Sequence, residues 1–243
     1  MNMDFSKRSR ELELMDNPDV SKQTLENVLR DINRANRILG GNKGTITALS
    51  QLISQNPRNS YTVLDMGCGD GAMLREVVLF FRRIHKKVKC IGIDLNEKAL
   101  QIANKASVDF PEINYLKRDI MDSDTQGLEC DILITTLTLH HFYDEQIPSI
   151  LQRFGKLAHI GIVINDLQRS SWAYSLFKVF SLIFIHTQIA KNDGLVSIAR
   201  GFTKAELIRF SKEILGAEHA ITWQWAFRYV WIIKMNRLTR TYE

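Results

Sequence analysis

Two stretches of the chain carry residue types whose spacing could support chemistry. The first is Asp65-Met66-Gly67-Cys68-Gly69-Asp70-Gly71, with glycines at alternate positions just after a carboxylate. Such glycines permit a tight turn and let a ligand approach the backbone with no Cβ in the way. Gly67, Gly69 and Ala72 also satisfy the dinucleotide spacing G-x-G-x-x-A. Asp65 argues against that ligand, because a carboxylate facing an anionic pyrophosphate is electrostatically unfavourable; it suits a cation such as an ammonium or a sulfonium. Further on, Asp94 can accept two ribose hydroxyls, each hydrogen bond to a charged group being worth about 1.5–3 kcal/mol. The second stretch is Leu139-His140-His141-Phe142. A histidine titrates near neutrality and can take a proton from a phenol, a hydroxyl or an acid. Neighbouring side chains on an extended segment point opposite ways, so one of the two is expected to face a ligand. Asp166 is the competing base or acceptor contact.

These residues need elements to position them. Short runs rich in Val, Ile and Leu at 62–66, 88–94, 113–117, 131–136 and 160–164 predict strands buried on both faces. Helical periodicity fills 72–84, 97–107 and 145–157 between them. This alternation implies an α/β fold, an open doubly wound sheet with right-handed crossovers. The glycine run then follows the first strand and opens the first crossover helix, at the carboxyl edge where open sheets bind ligands. From Ile221 to Trp231 apolar and other residues alternate strictly, which predicts an antiparallel strand pair as the C-terminal edge. Near the N-terminus, apolar residues from Leu25 to Leu39 recur at helical steps between Asn17-Pro18-Asp19 and Gly40-Gly41, and a second helix is predicted over 45–54. The expected organisation is an N-terminal helical lid, 1–57, and a ligand-binding domain, 58–243, with a helical capping insert at about 168–202.

The 243 residues are 45% hydrophobic and 24% charged, which excludes a generally disordered chain. Three cysteines are too few for a disulfide framework and match no zinc spacing, so a reduced, cytoplasmic protein without a metal is expected. The N-terminus lacks the apolar core of a signal peptide, and no stretch reaches the roughly 18 apolar residues of a membrane span. The net charge of +5 owes much to the run from Arg82 to Lys89, which reads as a solvated helix end and turn.

The motifs Asp65-x-Gly67-x-Gly69-x-Gly71, Ile91-Gly92-Ile93-Asp94, Lys117-Arg118-Asp119-Ile120 and Cys130-Asp131-Ile132-Leu133-Ile134 occur in order at successive strand ends. In this the sequence resembles the class I S-adenosylmethionine-dependent methyltransferases over about residues 60–165. The resemblance implies a Rossmann-like sheet, mostly parallel with an antiparallel edge, and S-adenosylmethionine as cofactor. It implies that Asp65 and the glycine backbone lie near the methionyl part, that Asp94 holds the ribose, and that Asp119 and Ile120 border the adenine. Cys68, Leu95 and Thr136 complete the implied cofactor site. The stretches Arg34–Gly41 and Asn192–Thr203 are similar to a bacterial subgroup associated with polyketide and phenolic biosynthesis. That likeness implies a secondary-metabolic role, Arg34 or Asn36 near the cofactor carboxylate, and Arg200 at the acceptor.

The acceptor is expected to be a small molecule. The chain lacks the Asn/Asp-Pro-Pro-aromatic turn of nucleic-acid adenine enzymes and the Pro-Cys nucleophile of pyrimidine enzymes. A helix over 172–185 with Trp172, Phe177, Phe180 and Phe184 on a wide apolar face predicts a hydrophobic, phenolic acceptor. Methyl transfer to an oxygen is expected, with His140, His141 or Asp166 as base. Transfer to carbon or nitrogen, and a non-catalytic cofactor-binding protein, stay open, as does homodimer formation. A reductase with Tyr174-x-x-x-Lys178 is disfavoured, since its G-x-x-x-G-x-G pattern is absent. No nucleic-acid partner and no stable membrane insertion are expected.

Overall fold

The computed structural model describes residues 4–122 and 126–235; residues 1–3 of the predicted lid and 236–243 of the predicted domain lie outside them. The apolar runs form one sheet of β1 (Ser60–Met66), β2 (Lys87–Asp94), β3 (Ile113–Lys117), β4 (Cys130–Thr136), β5 (Ala158–Leu167), β6 (Ala217–Gln224) and β7 (Arg228–Met235). Their order is β3-β2-β1-β4-β5-β7-β6. The first five are parallel, whereas β7 runs antiparallel to both β5 and β6. This is the doubly wound sheet with an antiparallel edge that the alternation predicted. The order reverses between β1 and β4, and that reversal opens a crevice beyond their carboxyl ends.

Crossover helices α3 (Ala72–Arg83), α4 (Glu97–Ala106) and α5 (Ile147–Leu157) connect the parallel strands. Before them stand α1 (Lys22–Ile38) and α2 (Gly41–Gln55); after β5 come α6 (Ser171–Phe184), α7 (Gln188–Arg200) and α8 (Lys204–Ser211). One face of the sheet buries Phe154, Phe202 and Trp231, and the other buries Leu49, Leu52, Val77 and Phe81. Each such side chain contributes about 1.5–3 kcal/mol on burial.

The element bounds differ from expectation in two places that matter for the site. Helix α2 begins at Gly41, ahead of the predicted start, and runs through Gly44. A Cβ on Gly44 would stand 2.5 Å from Gln224 Oε1 and 2.9 Å from Val230 Cγ2, so glycine there allows α2 to press on the β6–β7 hairpin. Strand β5 continues past 164 to Leu167 because β7 pairs with it through Asn165, Asp166 and Leu167. Asp166 is therefore inside a strand and not in the loop after it.

Of the predicted lid, α2 packs flat on the sheet through Ala48, Leu49 and Leu52. The segment before α1 crosses the crevice as a strap. Ser9 N–H donates to the Ala199 carbonyl at 3.0 Å, and Asp193 Oδ1 and Oδ2 accept from Leu14 N and Met15 N at 2.9 Å each. Arg8 donates to Asp144 and to the carbonyl of His140, both at 2.8 Å. The strap is thus tied to α7 and to the turn after β4.

Candidate active site

The glycine turn leaves β1 with Gly67, Gly69 and Gly71 at φ of 80°, 54° and 73°. A Cβ on Gly67 would lie 2.3 Å from Thr138 Cγ2, and one on Gly71 would lie 1.9 Å from the Tyr115 hydroxyl. Both backbone sign and space therefore require glycine at these two positions. The turn is pinned to β2: Gly69 N–H donates to Asp94 Oδ2 and Asn96 N–H to Asp94 Oδ1, each at 2.8 Å. Burial raises the Asp94 pKa against the pull of these two amides. Each of its oxygens keeps a lone pair for a further donor.

Behind the turn, Asp65 is 1% exposed and its Oδ1 has no hydrogen-bond partner. Burial, with the Asp94 charge as a second cause, pushes its pKa up to about 8. An orphaned buried carboxyl group is costly unless a ligand completes it. Cys68 beside it is a buried free thiol whose pKa burial and Asp65 drive upward, so it is not a nucleophile.

A cavity of about 750 Å³ runs from this turn to the His140–His141 corner. Asp65, Gly67, Cys68, Gly69 and Asp94 line one end, with Leu95, Asp119, Ile120, Thr136 and Asn36 around it. Gly71 shapes the turn without lining the cavity. Asp119 also caps its own turn, accepting from Met121 N–H at 2.8 Å. Phe177 and Phe180 of α6, expected at the acceptor, form part of the apolar wall of this cavity.

At the far end, His140 is buried between two carboxylates. Its Nδ1 is 2.7 Å from Asp166 Oδ1 and its Nε2 is 3.2 Å from Glu13 Oε1. Burial favours the neutral ring, but Asp166 and Glu13 outweigh it and raise the His140 pKa to about 9. The same contact, with Ser197 and the nearby His141, overcomes burial and lowers Glu13 to about 2. The His141 ring lies against that of His140 with centroids 4.5 Å apart and is partly exposed to the cavity. Its Nδ1 is 3.2 Å from Asp16 Oδ2, and its Nε2 is 3.8 Å from Glu13 Oε2. Ligand atoms of Glu13, His140 and His141 lie within 4.8 Å of one another, the dimensions of a cation site.

Four expectations are corrected. Asp166 does not line the cavity; it sits beneath His140 and fixes the ring. Arg34 turns away to His186, and the cavity wall on α1 is made instead by Asn33 and Asn36. Arg200 is buried and donates to the carbonyls of Glu11, His140 and His141, so it holds the strap and the turn together and does not line the cavity. Trp172 is 73% exposed and outside the cavity. The polar stripe of α6 misled here, because Ser181 faces inward with its hydroxyl bonded to the Lys178 carbonyl at 2.9 Å. Sequence reasoning missed Glu13, Asp16 and Arg228. Arg228 alone left a signal, a cation at the head of the apolar run 229–233.

Residues 63–161 match the family model described as a methyltransferase domain. Over that span, which takes in the glycine turn, Asp94 and the two histidines, the chain is similar to methyltransferase domains. Uncharacterized methyltransferases of Mycobacterium bovis and Mycobacterium tuberculosis are 25% identical to it over 122 residues, 48% of this chain. The match spans 58% of those relatives' length. Among solved structures, the plantazolicin methyltransferase BpumL in complex with SAH is similar with a TM-score of 0.68 at 17% identity, covering 91% of this chain and 92% of that one. Magnesium protoporphyrin IX methyltransferase from Synechocystis with bound SAH follows at a TM-score of 0.53 and 16% identity, covering 81% and 84%. At such identities the likeness shows the fold, in which the glycine turn and Asp94 occupy the carboxyl edge of β1 and β2. No described helix is long and apolar enough to cross a membrane.

Proposed function

We propose that this chain transfers a methyl group from S-adenosylmethionine to an oxygen of a small, apolar acceptor of phenolic or polyketide type. Asp65 carries the reading: its partnerless, buried carboxyl group behind a glycine turn fits a cationic ligand and no dinucleotide phosphate. The cofactor supplies an electrophilic methyl group on a sulfonium, together with an ammonium and a ribose. Asp65 and the turn backbone would hold its cationic end, Asp94 its ribose hydroxyls, and Ile120 its adenine face.

The protein's own part is alignment, exclusion of water and removal of one proton. The strap and α6 form part of the cavity wall, and good alignment contributes roughly 7–11 kcal/mol to the lowering of a bimolecular barrier. His140, clamped between Asp166 and Glu13, stays protonated at neutral pH and is a fixed positive group, not a base. His141 is the base: Asp16 accepts its Nδ1–H, and Nε2 takes the acceptor proton. The imidazolium so formed lies beside the Glu13 carboxylate.

Names of the structural neighbours, which point to plantazolicin and magnesium protoporphyrin IX, support a small-molecule acceptor over a nucleic acid. Three buried, unpaired thiols support a reducing, cytoplasmic setting. The deciding experiment is calorimetric titration with S-adenosylmethionine and S-adenosylhomocysteine, with Asp94→Ala as control, followed by a screen of phenols and quinones for methyl transfer. Micromolar binding lost in the variant, and turnover on a phenol, are expected. Folded protein that binds neither compound sinks the proposal.

A further inference from the structure

Arg228 opens β7 and lines the cavity, yet it is only 5% exposed. Its Nη2 donates to Asn36 Oδ1 at 2.6 Å, but Nε and Nη1 have no partner. It takes part in no ion pair among the described residues. Burial pulls its pKa down to about 10, and the opposing influence comes from Asp166, whose carboxylate is committed to His140. A buried guanidinium with two idle donors is expensive to keep, because desolvation is uncompensated.

The neighbouring element has the same sign of charge. Helix α2 starts at Gly41, and its N-cap, Gly40, supplies no side-chain cap. A Cβ on Gly41 would stand 2.9 Å from Arg228 Cζ, so the guanidinium is packed against the first turn of this helix. Leu39 and Asn42, which flank that start, line the same cavity. Free N–H groups and the positive end of the helix dipole therefore converge with Arg228 on one wall.

We infer that Arg228, with the uncapped start of α2, is a subsite for the carboxylate of a ligand bound in this cavity. An anionic carboxylate is the group that an unpartnered guanidinium N–H matches in both charge and hydrogen bonding, and a charge-assisted bond is worth about a 10- to 100-fold gain in affinity. The carboxylate belongs either to the amino-acid end of the cofactor or to the acceptor; the inference rests on the methyltransferase reading for which ligand brings it, and on Arg228 itself for the subsite.

The test uses the full chain with Arg228→Met and Arg228→Lys. Without ligand, Arg228→Met should raise the melting temperature, since an uncompensated buried charge is removed. Calorimetry then follows two arms, S-adenosylhomocysteine against its decarboxylated analogue, and benzoate against benzyl alcohol, the latter pair with and without saturating S-adenosylhomocysteine. Loss of about 10- to 100-fold in S-adenosylhomocysteine affinity, with the decarboxylated analogue bound equally by both proteins, assigns the subsite to the cofactor. Unchanged S-adenosylhomocysteine binding with loss of benzoate but not of benzyl alcohol assigns it to the acceptor. Arg228→Lys should retain part of the affinity in either case. The inference is overturned if carboxylate and carboxylate-free ligands weaken equally, or if neither arm responds in folded variants. Wild-type protein that ignores S-adenosylhomocysteine while binding benzoate through Arg228 would refute the methyltransferase proposal and keep the subsite.

Discussion

Glu13 Oε1 stands 3.2 Å from Nε2 of His140, although 127 residues separate them in the chain. The contact carries the strap across the crevice and completes a buried carboxylate–imidazole–carboxylate array with Asp166. His140 has its folded pKa raised from 6.5 to about 9, so its stabilising contribution is complete below 6.5 and is lost as pH rises through 9. Glu13, lowered from 4.5 to about 2, contributes above 4.5 and loses its contribution as pH falls through 2.

Glu13→Gln should therefore lower stability at pH 7 by about 3–5 kcal/mol, the range for breaking a buried ion pair. The gap to wild type should narrow above pH 9, where His140 is neutral and the glutamine amide can donate to it. Chemical denaturation of both proteins from pH 6 to 10 measures this; a gap that stays constant across the range would show that His140 is not charged in the fold.

Asp65, held near 8, is mostly protonated at pH 7. Seating a cationic ligand against it should convert it to the carboxylate and release about one proton. Titration with S-adenosylmethionine in phosphate and in Tris should give enthalpies that differ by the buffer ionisation heat. Asp65→Asn should abolish that difference and weaken binding. Equal enthalpies in wild type would place the cation elsewhere.

On the proposed mechanism, removing His141 should slow turnover more than binding. His141→Ala is expected to lower kcat about 10²- to 10⁴-fold with little change in KM. Asp16→Asn should act in the same direction but less, because it only orients the ring. Normal turnover by His141→Ala on a phenol would remove the proton-transfer role.

The Glu13–His140–His141 corner has the dimensions of a cation site, but Glu13 Oε1 and His140 Nε2 are already bonded to each other and His141 Nδ1 to Asp16. Dialysis against EDTA should leave activity unchanged. A loss restored by a divalent ion would instead make the corner a metal centre.

The doubly wound sheet was legible because each strand is a short apolar run whose burial on both faces leaves its mark on consecutive residues. The glycine turn was legible for a similar local reason: Gly67 and Gly71 answer to a backbone sign and to space that few other residues tolerate. Asp65 and Asp94 followed from their places at strand ends. Which histidine acts was not legible, since adjacent residues share every local signal. Only the long-range approach of Glu13 and Asp16 distinguishes His140, held at both ring nitrogens, from His141, whose hydrogen bond is to Asp16 at Nδ1. Likewise Arg34 and Arg200 read as site residues by position, whereas the packing of α6 and the strap turned them to structural partners. Arg228 came into the cavity because β7 returns antiparallel beside β5 and α2 presses on it. Such contacts arise from pairing distant segments, and no periodicity in the chain encodes them.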